Sequence, residues 1–292
     1  MPSESTTYWT LLKDIARLWV DDYVPSMGAA LAFYTLFSMA PLLLIVVSVA
    51  GLIFGEEAAR GEIAAQLHLL MGERSAGAVQ ELLVSVRSPA EGKAATLLGV
   101  LLLLVGATTV FGELQDALDR IWRVTAQERT SGWIGLIRSR LLSFGMILAI
   151  GFLLTVSLVV SAALATLGRW WEPMFGGWYW VAALSNATAS FLMVAVMFAL
   201  IYKVMPRTQV QWKDVWVGAV ATTALFTLGK FLISLYIGRS GVTSAFGAAG
   251  SLVVILLWVY YSAQIFLLGA EFTWVYANAF GSRSANGNLD VK

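Results

Sequence analysis

The sequence predicts an all-α polytopic membrane protein, with six transmembrane helices and amphipathic helices at the interfaces. Two observations predict it. Residues Met27 to Phe54 run for 28 positions without a charge, and five more apolar stretches of spanning length follow. Charged residues make up 13% of the 292, and mean hydropathy is +0.76; an ordinary soluble domain carries about 25% charged residues. A helix rises about 1.5 Å per residue, so about 20 apolar residues cross a hydrocarbon core of roughly 30 Å. The spans are expected at about 27–54, 94–112, 141–167, 178–202, 215–237 and 247–275. They form a single domain over 1–280 and leave 281–292, rich in Gly, Ser and Asn, as a disordered cytoplasmic tail.

The elements follow in chain order. Residues 1–26 are polar and amphipathic, unlike a cleavable leader, so the first span is expected to stay in the mature protein. Within 8–22, Tyr8, Leu11, Leu12, Ile15, Leu18 and Trp19 share one helical face and Lys13, Asp14, Arg17 and Asp21 lie elsewhere, which reads as a helix lying in the inner interface. Pro41 interrupts the first span and frees a backbone carbonyl, so a kink is expected there. The loop 55–93 carries six acidic residues. Its apolar positions Ile63, Leu67, Leu70, Met71 and Val79, Leu82, Leu83, Val86 have helical spacing, which predicts two short amphipathic helices capping the outer side. Past the second span, Asp116 with Arg120 and Asp119 with Arg123 stand at i,i+4, with Leu114, Leu118, Ile121 and Trp122 on another face; the helix is expected to continue into the cytoplasm. Trp170, Trp171, Trp178, Tyr179 and Trp180 crowd the turn between the third and fourth spans, as amphipathic rings do at the headgroup layer. The small residues Gly247, Ala248, Ala249, Gly250 and Ser251 open the sixth span and suit close helix packing or a hinge.

Lys and Arg set the orientation. The N-terminal segment, the second-to-third loop, the fourth-to-fifth loop and the C-terminus together carry twelve, and the opposite loops six. The excess puts both termini in the cytoplasm, as an even number of spans requires.

Polar residues inside the spans are the candidate functional positions, because charge in hydrocarbon is costly. Tyr261, Gln264 and Glu271 fall on one stripe of the sixth span. Tyr34 and Ser38 of the first span and Thr108 and Thr109 of the second lie at a similar inner-half depth, and Pro41 joins them as a candidate near mid-membrane. Two readings stand side by side: helix-to-helix hydrogen bonding, or a polar cavity opening inward. Lys230, roughly 10 Å below the outer end of the fifth span, matches the depth of Asn186 in the fourth; they form a candidate outer-half pair, with snorkelling as the alternative for the lysine. Glu271 lies near the inner surface, where Arg138, Arg140 or Lys203 could pair with it.

Enzyme chemistry finds no support. The chain has no cysteine and one histidine, His68, in the outer loop. No HExxH, GxSxG or GxxxxGK[ST] is present, so no catalytic, cofactor or metal site is expected. Net charge is +1 and there is no basic groove, so nucleic acid is not an expected partner; membrane lipids are, beside a homo-oligomer or an envelope-protein partner.

Several segments together resemble a known family. Gly28-Ala-Ala-Leu-Ala-Phe-Tyr-Thr-Leu-Phe-Ser-Met-Ala-Pro41 resembles the opening of the YihY/virulence factor BrkB family. Gly250-Ser-Leu-Val-Val-Ile-Leu-Leu-Trp-Val-Tyr-Tyr261 and Ile265-Phe-Leu-Leu-Gly-Ala-Glu271 resemble its closing helix, and Trp122-Arg123 and Lys203-Val-Met-Pro206 look like family positions. The resemblance implies a six-helix protein of the bacterial inner membrane. The family has carried virulence, lipid-transport and ribonuclease labels, the last without a metal cluster or stacking platform in this chain to support it. Two readings follow: a transporter or flippase-like protein for a lipid or other amphiphile in envelope biogenesis, or a non-transporting scaffold for envelope integrity or virulence. No inverted repeat is evident between the two halves, and no carboxylate lies at mid-membrane to drive an ion-coupled cycle.

Overall fold

The computed structural model describes residues 8–71, 73–86, 109–125, 145, 179–239, 246 and 249–284. For some of these, Pro41 and Asn186 among them, only the backbone path is described. Every regular element among the described residues is a helix. They are α1 (Tyr8–Asp21), α2 (Val24–Phe54), α3 (Glu56–Met71), α4 (Glu73–Val86), α5 (109–121), α6 (Tyr179–Val204), α7 (Trp212–Arg239) and α8 (Gly250–Ala279). Thr108, most of the second and third spans, Trp170, Trp171, Trp178, Arg138 and Arg140 lie outside the described residues.

Among the described residues, three helical stretches are long and apolar enough to cross a membrane: Ala187–Val204, Trp212–Arg239 and Gly250–Ala279. A shorter apolar stretch, Val24–Met39, opens α2, which runs unbroken past Pro41. At 30 residues α8 is roughly 45 Å long. It is longer than the hydrocarbon core is thick.

α8 is the axis of the bundle and packs on α7, α2, α4 and α1. Small residues let α7 and α8 approach closely. A Cβ on Gly218 would stand 1.8 Å from Thr273 Oγ1, and one on Gly269 would stand 2.0 Å from Thr222 Oγ1. The threonines spend their hydroxyls locally: Thr222 donates to Gly218 O at 2.7 Å and Thr273 to Gly269 O at 2.6 Å. α6 joins at the same level, where the Tyr202 hydroxyl donates to Phe266 O at 2.7 Å and lies 3.0 Å from Thr222 Oγ1. Short-range packing of this kind holds helices together where lipid supplies no hydrophobic drive. The outward face of α7 is apolar, with Leu228 and Phe231 58% and 65% exposed, the pattern of a lipid-facing surface.

The two ends of the bundle differ. At one end α4 lays Ala78 and Val79 on Ile233, Ile237, Val254 and Ile255. α3 and α4 occupy the stretch where the sequence predicts two short helices. At the other end α1 docks Ile15 and Leu18 on Val275 of α8, with Leu268 and Phe272 beside them. Leu12, which the spacing groups with that face, is 59% exposed. The end of α1, the end of α5, the 205–214 connection and the 280–284 turn all meet here. They come from the four segments that carry the Lys and Arg excess. The chain does not leave the bundle at 281: Ser282 donates through its backbone N–H and hydroxyl to Asp214, and Arg283 lies over the Trp122 ring at 5.0 Å. Residues 285–292 lie outside the described residues.

The ion pairs at α5 also differ from the i,i+4 expectation. Asp119 pairs with Arg207 and Arg123 with Asp22. The reason is local: α5 ends at Ile121 and Arg123 turns off in a left-handed conformation, φ 55°. Its side chain therefore leaves the helical face that carries Asp119.

Candidate functional site

The predicted stripe on α8 splits among three neighbours. Tyr261 lies against Gly229 of α7. Gln264 crosses to α2, where its amide rests on Gly28 and Nε2 donates a long bond, 3.4 Å, to Val24 O; Oε1 is buried without a donor. Glu271 is fully buried and faces the corner between α1 and α2. The other candidates scatter. Ser38 is buried and donates to Thr35 O at 3.2 Å, Tyr34 meets the edge of Phe33, and Thr109 is half-buried and engaged. Lys230 is half-buried and is also engaged.

The stripe thus leads to a site whose other members the sequence reading did not pair with it. Asp22, 3% exposed, ends the α1 corner and accepts through Oδ1 from Arg123 Nη1. The Arg123 guanidinium lies over the Trp274 ring at 5.5 Å, one turn beyond Glu271 on α8. Asp22 Oδ2 and both Glu271 carboxyl oxygens are buried with no hydrogen-bond donor among the described residues. Tyr23 and Arg123, one on each side of this site, are the only non-glycine residues with positive φ among the described residues. A left-handed conformation costs an L-residue roughly 1–2 kcal/mol, so the local fold must impose it. Lys203, one of the cations the sequence offers to Glu271, instead donates to Val210 O.

A second charged cluster lies beside it. Arg207 donates from its backbone N–H to Asp119 Oδ1 at 2.8 Å and from Nη1 to Asp119 Oδ2 at 2.7 Å. It also reaches Asp116 at 3.2 Å and Gln115 Oε1 at 3.2 Å, and Gln115 Nε2 returns a 2.9 Å bond to Met205 O. Burial holds the Asp119 carboxyl above its usual value, and the hydrogen bonds and charge of Arg207 offset only part of the rise. The cluster ties α5 to the 205–208 segment.

A recess of about 330 Å³ opens next to these groups, lined by Met27 and Ala117 and by Glu113, Asp116 and Arg120. The Arg120 guanidinium sits over the Tyr23 ring at 5.1 Å. Apolar side chains and both signs of charge meet at the start of α2. Among the described residues no three His, Asp or Glu side chains gather as metal ligands.

A family model described as "Virulence factor BrkB" matches residues 15–291. The chain is 28% identical over 263 residues to a curated UPF0761 membrane protein of Pseudomonas aeruginosa, covering 88% of this chain and 60% of that one. It is 25% identical over 275 residues to one of Tolumonas auensis, covering 88% and 82%, and 30% identical over 268 residues to one of Alcanivorax borkumensis, covering 88% and 58%. The chain therefore spans about 60% of the length of the Pseudomonas relatives it matches. No solved structure matches.

Proposed function

The chain belongs to the Virulence factor BrkB family of membrane proteins, and from that premise we propose that it handles a lipid or other amphiphile in the bacterial inner membrane, as a transporter or flippase-like protein. It does so with six spans and both termini in the cytoplasm. The supporting observation is the recess at the inner end of α2 and α5. Met27 and Ala117 suit an acyl chain, while Arg120 and the carboxylates of Glu113 and Asp116 suit a headgroup carrying a phosphate and an amine. Purified protein should retain a phospholipid in native mass spectrometry, and an Arg120→Gln, Glu113→Gln double variant should lose it. A lipid-free spectrum of the wild type would sink this reading.

A specific observation favours the scaffold alternative. Glycine-mediated packing brings α7 onto α8, and Gln264 fills the space over Gly28 of α2, so these helices are in direct contact at those points. Envelope-integrity assays separate the readings. Glu271→Gln and Gln264→Leu should impair transport while leaving membrane insertion intact; unimpaired function in both variants supports the scaffold.

A further inference from the structure

We propose that Glu271 and Asp22 form a proton-binding site, in which a protonated Glu271 donates its hydrogen to Asp22 Oδ2 while Arg123 holds Oδ1. The inference goes beyond lipid handling and does not depend on it.

The argument is an accounting of donors. Asp22 and Glu271 are 3% and 0% exposed, and Glu271 faces Asp22 and Arg123. Four oxygens meet there. Arg123 Nη1 donates to Asp22 Oδ1, and the other three have no hydrogen-bond partner among the described residues. Buried polar atoms are nearly always paired, so three orphans in one place point to something that completes the site. A single hydrogen on Glu271 supplies a donor to Asp22 Oδ2 and removes one of the two facing charges.

Charge counting leads to the same place. Among the described residues, the charged groups that face Glu271 are Asp22 from the α1–α2 corner and Arg123 from beyond the end of α5. The nearby groups on the remaining elements are committed elsewhere: Lys203 to Val210 O, Arg207 to Asp119 and Asp116, Asp214 to Ser282, and Arg283 to the Trp122 face. One arginine neutralises one carboxylate. A second ionised carboxylate beside it would be an uncompensated charge next to a like charge, out of water. One bound proton makes the site neutral. A hard metal cation fits less well, because such ions take about six or more oxygen ligands and two side chains offer three free ones.

The site has a mechanical consequence. It joins the α1–α2 corner to α8 at the point where Leu18 and Val275 also meet. With the proton bound, corner and helix are hydrogen-bonded; without it, two carboxylates repel across the same contact. Proton occupancy therefore sets how firmly α1 is seated.

The test is infrared spectroscopy of the full-length protein in lipid nanodiscs at neutral pH. The wild type should show a carboxylic-acid C=O band that shifts in D2O, is absent from Glu271→Gln and moves in frequency in Asp22→Asn. Glu113→Gln should leave the band unchanged. No such band in the wild type, or the same band in Glu271→Gln, overturns the proposal. Loss of the band on adding sodium chloride at constant pH also overturns it, in favour of a metal-cation site. If Glu271→Gln does not fold, the Asp22→Asn comparison decides: an unmoved band removes Asp22 as the acceptor.

Discussion

Asp119 and Asp22 are both buried aspartates held by an arginine at the same end of the bundle, and they are finished differently. Around Asp119 both carboxylate oxygens receive N–H donors from Arg207, and Gln115 extends the network to Met205 O. Around Asp22 one oxygen is served and one is not, and Glu271 adds two more without donors. The two arginines are also placed differently: the Arg207 side chain is 27% exposed and the Arg123 side chain 44%. A fully paired buried carboxylate is a fastening, and it gains nothing from a further ligand. An incompletely paired one is costly unless something completes it. The contrast separates what holds this end together from what can change state there.

The largest effect is expected at the fastening. Arg207→Ala leaves Asp119 buried without its cation and should cost about 3–5 kcal/mol, read as a large drop in melting temperature in detergent. With the arginine gone, burial and the Asp116 charge act on Asp119 unopposed and hold its carboxyl further above the usual range. The native state then binds a proton more tightly than the unfolded chain, so stability falls as pH rises through that interval. The deficit of Arg207→Ala should accordingly shrink on acidification, and a deficit that grows would break the account of Asp119.

Arg123→Gln comes next. It removes a charged donor from one oxygen of Asp22, and about 1–3 kcal/mol is expected in the same melts. A loss as large as that of Arg207→Ala would make the two sites equivalent. Asp116→Ala should be milder still, about 0–1 kcal/mol, because that carboxylate is 61% exposed and its pair is screened.

The helical class, the membrane setting and the two capping helices were legible because apolar run length and helical spacing are local properties of the chain. The gathering of four segments at one end was legible in the Lys and Arg distribution. The partners of Glu271 were not. Asp22 and Arg123 lie far from it in sequence, and Arg123 carried a plausible local alternative in Asp119 at i,i+4. What defeats that alternative is the end of α5 at Ile121 and the left-handed turn at Arg123, where no glycine advertises it. The stripe Tyr261, Gln264, Glu271 was readable as a stripe, but not its division among α7, α2 and the α1 corner. A stripe about a quarter of a helix wide can touch more than one neighbour, and spacing does not say which.

The smallest expected effect is the most informative. Glu271→Gln replaces a protonated carboxyl by an amide of nearly the same shape that can still donate to Asp22. The decisive measurement is its unfolding free energy at neutral pH beside that of the wild type. A change within about 1 kcal/mol is predicted. A gain of several kcal/mol would mean that a buried charge had been removed, and a loss matching Arg207→Ala would mean that Glu271 is a fastening like Asp119; either result contradicts the account.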